Sequence, residues 1–290
     1  MSEHFFDKLA KRVQTSNSLL CIGLDPHVGQ LPEATPQAAY DFCLKIVTET
    51  HPYAACFKPN CAFFERFGGP GVEALKNLIA AIPKDIPVLL DCKRGDIDTT
   101  AQAYAHAAYD ALGADSVTLS PYMGWDSVAP FVTGQFANKG AFVLCKTSNN
   151  SSNDVQVDML AGGGFVYEKI VKLCNQWNET PPTHPTHPTH PSTATPAPAS
   201  PTPCVGLVAG ATDLIALRRI RSLSPQIWIL CPGVGAQGGE ADKVCAEGLR
   251  ADGSGLLVSV SRGISKAANM GTAARDLRDQ ITPLREDKIA

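Results

Sequence analysis

Two carboxylates and a lysine fall close together in residues 88–97, Val-Leu-Leu-Asp-Cys-Lys-Arg-Gly-Asp-Ile. On a strand Asp91 and Lys93, two apart, project to the same side. Asp96 follows where a loop would curl back over the strand end, so the three converge on one spot. The apolar run Val88 to Leu90 leads straight into them after Pro87 and reads as a buried strand. Burying a lone charge is costly, so buried charges are paired. A solvated surface cluster is the ordinary fate of such residues. Here the apolar lead-in points instead to a functional cluster of opposed charges at a strand end.

A second stretch suits anion binding. Pro232-Gly233-Val234-Gly235-Ala236-Gln237-Gly238-Gly239 matches G-x-G-x-x-G at Gly233, Gly235 and Gly238. A dinucleotide fingerprint would sit in the first βα unit, with an acidic residue about 20 positions on. This motif lies late in the chain, where a barrel builds its phosphate site from the loops after strands seven and eight. Glycines expose backbone N–H groups, and Gln237 can add an amide. Ser261-Arg262-Gly263 then supplies a guanidinium able to hold phosphate through two bonds. A mobile loop beside a structural arginine is the plainer alternative.

The elements that must carry these residues alternate along the chain. Apolar runs predict strands over Ser18 to Leu24, Tyr53 to Lys58, residues 88–97, Ser116 to Leu119, Ala141 to Lys146, Val205 to Ala209, Ile227 to Leu230 and Leu256 to Val260. Helical periodicity predicts helices over Glu3 to Val13, Pro36 to Thr50, Gly71 to Ala81, Ala101 to about Leu112, Gly164 to Trp177, Asp213 to Ser222, Glu240 to Leu249 and Ser265 to about Asp279. Thr35 is the expected N-cap of the second helix, with proline at its first turn. Eight strands and their helices in about 260 residues fit one closed (β/α)8 TIM barrel spanning residues 1–290. Asp25, Lys58, Asp91, Lys93, Ser148 and Arg262 then all fall at or just past the C-terminal strand ends, the end that carries the active site in such barrels.

Composition sets the outer bounds. Of 290 residues, 44% are hydrophobic and 18% charged, and the net charge is −3, so there is no basic field for nucleic acid. Ten cysteines are scattered with no CxxC pair, which predicts buried free thiols in a reducing cytoplasm. No apolar run is long enough to span a bilayer, and the amphipathic N-terminus does not read as a signal peptide. Residues 179–203 break the pattern with three Thr-His-Pro repeats followed by Ser, Thr, Ala and Pro. Such a segment cannot bury a core and reads as a disordered surface insertion before strand six. His184, His187 and His190 recur along it at a spacing that suits one face of a polyproline II helix.

Taken together, Asp91-Cys92-Lys93-Arg94-Gly95-Asp96-Ile97, the loop from Pro232 to Gly239 and the Ser261-Arg262-Gly263 turn resemble the orotidine 5′-phosphate decarboxylase family, in its longer bacterial-type branch. The likeness covers nearly the whole chain except the proline-rich insertion. It implies loss of CO₂ from orotidine 5′-phosphate to give UMP, the last step of de novo pyrimidine biosynthesis, with no metal and no cofactor. It also implies roles for individual residues. Lys58, Asp91, Lys93 and Asp96 would form a charged tetrad. Lys93 would protonate C6, Asp91 would face the substrate carboxylate, and Lys58 would pair with Asp91 and touch the ribose. Asp96 and Thr100 would reach across a homodimer interface. Asp25 would bind a ribose hydroxyl and Ser148 the pyrimidine edge, while Gln237, Gly238, Arg262 and Gly263 would hold the phosphate. Two rival readings remain. One is a magnesium-dependent sugar-phosphate decarboxylase or aldolase on the same Asp-x-Lys-x-x-Asp scaffold. The other is a non-catalytic nucleotide-binding barrel.

Overall fold

The computed structural model describes residues 3–182, 203–235 and 239–289. The apolar runs become eight strands: β1 (Leu20–Leu24), β2 (Cys56–Pro59), β3 (Leu89–Arg94), β4 (Ser116–Leu119), β5 (Gly140–Lys146), β6 (Val205–Ala209), β7 (Ile229–Pro232) and β8 (Leu256–Val260). All pair in parallel, in the order β2-β1-β8-β7-β6-β5-β4-β3. The ends of that order meet through two isolated parallel bridges, Phe57 with Val88 and Asn60 with Asp91. The expected (β/α)8 barrel is therefore what forms, and its β2–β3 seam is stitched by single bridges rather than a ladder. Every residue of β1, β2, β4, β6 and β8 is buried, as strands covered on both faces should be.

Eleven α-helical segments lie among the described residues: α1 (Phe5–Ser16), α2 (Pro36–Thr50), α3 (Ala62–Glu65), α4 (Gly68–Ala81), α5 (Asp98–His106), α6 (Ala129–Val132), α7 (Val166–Glu179), α8 (Leu214–Leu223), α9 (Ala241–Gly248), α10 (Arg262–Ser265) and α11 (Met270–Ile289). Thr35 caps α2 as expected, accepting the Ala38 N–H at 3.2 Å, with Pro36 at the first turn. α1 closes the N-terminal end of the barrel. Its Phe5 and Phe6 rings meet Phe142 of β5 edge-on, at 6.2 and 5.6 Å. Gly140, which opens β5, has no room for a Cβ because the Phe5 ring already fills that space.

Some expected boundaries shift. β2 begins at Cys56, because His51–Tyr53 turns as a 3-10 helix around Pro52. β7 runs two residues later than its apolar run suggested. The last helix starts at Met270 instead of Ser265 and continues to Ile289, and the separate turn α10 carries Arg262. All ten cysteines are free thiols, eight of them buried. No described helix is long and apolar enough to cross a membrane. Most of the proline-rich insertion, with His184, His187 and His190, lies outside the described residues.

Candidate active site

The β2–β3 seam sets the two residues on which the site depends side by side. Lys58 is next to last on β2, ahead of Pro59, and Asp91 lies on β3, where Asn60 bridges to it and the Cys61 N–H donates to its carbonyl at 3.2 Å. Lys58 Nζ donates to Asp91 Oδ2 at 3.0 Å, and Lys93 Nζ donates to Asp91 Oδ1 at 2.6 Å. Lys58 and Asp91 are each 8% exposed, whereas the Lys93 side chain is 51% exposed. One buried carboxylate thus bridges two ammoniums, one sealed in the wall and one presented at the mouth.

Asp91 and Lys93 meet as their spacing predicted, but not through regular strand geometry. Lys93 has a φ of 45°, in the left-handed region, and the β3–β4 register shifts between Leu90 and Arg94. The backbone that would continue the ladder turns aside there. Two partners of Asp91 escaped the sequence reading. Thr118 Oγ1 on β4 donates to Asp91 Oδ1 at 2.9 Å, and Asn60 Nδ2 lies 3.5 Å from Oδ2. The available signal was a threonine fully inside the otherwise apolar Val117 to Leu119 run, where a hydroxyl must find a partner.

Burial alone would raise the Asp91 carboxyl. The neighbouring Lys58 and Lys93 ammoniums and their hydrogen bonds outweigh it and hold the group well below the usual carboxylate range. Burial likewise opposes the Lys58 ammonium, yet the Asp91 and Asp25 carboxylates keep it above the usual lysine range. Asp91 is therefore ionised and Lys58 protonated at neutral pH, with that pair of charges fixed before any substrate arrives.

The remaining predicted residues surround this cluster unevenly. Asp25 follows β1, and its Oδ1 is buried with no hydrogen-bond partner among the described residues, as is Ser261 Oγ. The two side chains crowd Gly23, where a Cβ would lie 2.7 Å from Ser261 Cβ and 3.0 Å from Asp25 Oδ2. Buried polar atoms without a protein partner are uncommon, and these two sit at the strand ends where a polar ligand would be bound. Ser148 follows β5 and is pressed by the end of β6, since a Cβ on Gly210 would fall 2.8 Å from the Ser148 backbone. Its carbonyl accepts from Thr212 Oγ1 at 3.3 Å.

Asp96 does not join the cluster of its own chain. Its Oδ1 accepts the Ile97 N–H at 2.9 Å, and no ion pair links it to Lys93 among the described residues. Thr100 is exposed on the first turn of α5. On the phosphate side, Gly233 and Gly235 adopt φ values of 101° and 73°, open to glycine alone without strain. The Gly235 N–H donates to the Gly239 carbonyl at 2.8 Å and the Gly239 N–H to the Gly233 carbonyl at 3.1 Å, so the loop folds back on itself. Gln237 and Gly238 lie outside the described residues. Arg262 and Gly263 are exposed at the start of α10, just beyond β8, which neighbours β7.

Lys146, at the end of β5, is a further charged residue that the sequence reading passed over. It is only 3% exposed, and its Nζ donates to Ser152 Oγ at 2.6 Å and Asn153 Oδ1 at 3.2 Å, with Asp213 Oδ2 at 3.7 Å. A cleft of about 520 Å³ opens at the opposite end of the barrel, beside Lys8, Asp115 and Lys139, and shares none of these residues.

A (β/α)8 barrel with a Lys58–Asp91–Lys93 charge cluster at the C-terminal mouth defines the class: a barrel enzyme built to act on a small anionic substrate. Comparison with known proteins narrows it. The chain belongs to the orotidine 5′-phosphate decarboxylase / HUMPS family, whose model matches residues 18–277. It is 40% identical over 289 residues to the orotidine 5′-phosphate decarboxylase of Roseiflexus castenholzii, covering 96% of this chain and 97% of that one. With the Haloarcula marismortui protein of the same name it shares 42% identity over 279 residues, covering 94% and 91%. The solved structure of Leishmania donovani OMP decarboxylase superposes with a TM-score of 0.83 at 42% identity, covering 98% of this chain and 99% of that one.

Proposed function

We propose that this protein is the carboxy-lyase that converts orotidine 5′-phosphate to UMP and CO₂, with the Lys58–Asp91–Lys93 cluster as its catalytic centre. That cluster is the observation that carries the reading: a buried, fully ionised carboxylate holding a half-exposed ammonium at the mouth. Family membership and the names of relatives near 40% identity over almost the whole chain support the activity.

The chemistry follows from the charges. The C6–carboxylate bond breaks, its electron pair stays on C6, and CO₂ departs. The ring offers no conventional sink for that pair, so the uncatalysed reaction is slow and the enzyme must supply a large share of the barrier. Lys93 stabilises the negative charge growing at C6 and then delivers the proton, and solvent recharges it. Asp91 faces the departing carboxylate. Two like charges about 4 Å apart repel by about 4 kcal/mol at an effective dielectric of 20, and loss of CO₂ relieves that repulsion. Most of the remaining rate enhancement comes from a field fixed in advance around the anion.

The other residues bind. Lys58 and Asp25 take ribose hydroxyls, Ser148 the pyrimidine edge, and Gln237, Gly238, Arg262 and Gly263 the phosphate. Phosphate binding lies away from the reacting bond, so its binding energy can close the glycine loop over the substrate. Asp96 and Thr100 act from the second subunit of a homodimer, a reading supported by the failure of Asp96 to meet Lys93 within its own chain.

The direct test follows ultraviolet absorbance after orotidine 5′-phosphate is mixed with the protein, with and without EDTA. Turnover unaffected by EDTA is expected. Turnover abolished by EDTA and restored by magnesium would favour the metal-dependent sister enzymes. UMP binding without turnover would favour a nucleotide-binding barrel.

A further inference from the structure

We propose that Thr118 is a positioning residue for the reaction, one hydroxyl that holds both Asp91 and the strained Lys93 backbone in their working geometry. The proposal rests on the reading that Asp91 and Lys93 carry the chemistry.

A threonine hydroxyl has one hydrogen to donate and two lone pairs to accept with. Thr118 Oγ1 uses all three. It accepts the Cys92 N–H at 3.1 Å and the Lys93 N–H at 3.0 Å, and it donates to Asp91 Oδ1 at 2.9 Å. Its proton direction is thereby settled, because the two backbone groups can only donate. The residue is 1% exposed, so water does not compete.

The position of this hydroxyl coincides with a break in the sheet. β3 pairs with β4 at Leu89 and Leu90, then again only at Arg94. Between those points the Cys92 and Lys93 N–H groups have left the ladder and would be orphaned, which buried groups tolerate poorly. Thr118 replaces the missing strand carbonyls. Lys93 can then keep its φ of 45°, a conformation that is strained for a non-glycine residue and persists only where its surroundings enforce it.

The same atom sets the electrostatics. Asp91 Oδ1 receives both the Thr118 hydroxyl and the Lys93 ammonium, while Oδ2 receives Lys58. Fixing Oδ1 fixes the plane of the carboxylate and thereby where the Lys93 ammonium rests. Removing the hydroxyl frees the carboxylate to rotate and lets Lys93 relax, without removing any charge. Misplacement of a reacting group by about 1 Å costs on the order of 10²-fold in rate.

The test compares Thr118→Val, which keeps the shape, with Thr118→Ser, which keeps the hydroxyl. For the valine variant kcat should fall about 10²-fold with KM changed little, because the defect lies in the geometry of the reacting groups. Serine should recover most of kcat, which a purely steric role for the side chain would not predict. Should the valine variant not fold, Thr118→Ala is read by the same measurements. A folded valine or alanine variant with unchanged kcat overturns the proposal, and so does a folded serine variant as impaired as valine. The wild-type control separates the two claims. If the wild type itself shows no turnover of orotidine 5′-phosphate, the functional reading fails first. Wild-type turnover together with an indifferent Thr118→Val sinks the positioning role alone.

Discussion

Two buried lysines lie at the C-terminal ends of β2 and β5, and their surroundings differ. Lys58, next to last on β2, has one hydrogen-bond acceptor among the described residues, Asp91. Lys146 ends β5 and donates hydrogen bonds to Ser152 and Asn153, while the Asp213 carboxylate balances its charge at 3.7 Å. Asp213 in turn caps α8 through the Ala216 N–H at 2.9 Å. Lys146 therefore clamps the loop after β5 to the helix after β6. Lys58 retains unspent donors beside a carboxylate that also holds Lys93. A buried cation at a strand end is not by itself a mark of catalysis; spare hydrogen-bonding capacity directed at a ligand is.

The largest expected effect tests that contrast directly. Lys93→Ala should lower kcat by about 10⁴-fold or more, because on the proposed mechanism it removes both the proton donor and a charge facing the developing anion. Lys146→Met should leave kcat within about tenfold of wild type, because its ammonium is consumed by structural partners. Steady-state kinetics on orotidine 5′-phosphate decide the matter. A methionine variant as inactive as Lys93→Ala would erase the distinction between the two corners.

Stability should order the corners the same way. Asp91→Asn strands the buried Lys58 ammonium, and breaking a buried pair from one side costs about 3–5 kcal/mol. Lys146→Met leaves neutral acceptors and a partly exposed Asp213, at about 1–3 kcal/mol. Denaturant unfolding of the three proteins should show this ranking, and equal losses would contradict it.

The pH dependence sharpens the comparison further. The Asp91 carboxyl is depressed, so its contribution to stability is complete above the unfolded value of about 3.9 and drains away as pH falls toward the folded one. The Lys58 ammonium is raised, so its contribution is complete below about 10.4 and is lost as pH climbs through the folded value. The stability gap between wild type and Asp91→Asn should therefore stay flat from about pH 5 to 8 and narrow below about pH 4. Unfolding midpoints across that range measure it, and a gap undiminished on acidification would show that Asp91 is not held ionised by its neighbours.

The sequence reading was strong where a pattern has one physical cause. Alternating apolar runs gave all eight strands, with β4, β6 and β8 at their observed limits, because buried parallel strands leave few other choices. Lys58, Asp91 and Lys93 stood out as charges placed where apolar strands end. Thr118 and Lys146 did not, for opposite reasons. Thr118 sits mid-strand, where threonine is a common strand former and its hydroxyl gives no sign of its target. Lys146 occupies the same kind of position as Lys58, and only the folded loop shows that Ser152 and Asn153 have absorbed it. The left-handed turn at Lys93 was equally hidden, since nothing in Asp-Cys-Lys-Arg marks a residue that leaves the ladder.

The smallest effect bears on how Lys146 is held. Ser152→Ala removes the shortest of its three contacts, at 2.6 Å, and leaves Asn153 and Asp213 in place. If the lysine is a clamp with shared load, stability should drop by about 1 kcal/mol, the net worth of one such bond. Activity should hold, since Asp213 continues to tie the ammonium to α8. A large rise in KM for orotidine 5′-phosphate would instead mean that Ser152 fixes the Ser148 loop for the pyrimidine. Lys146 would then belong to the binding machinery, and the two strand-end lysines would differ in degree only.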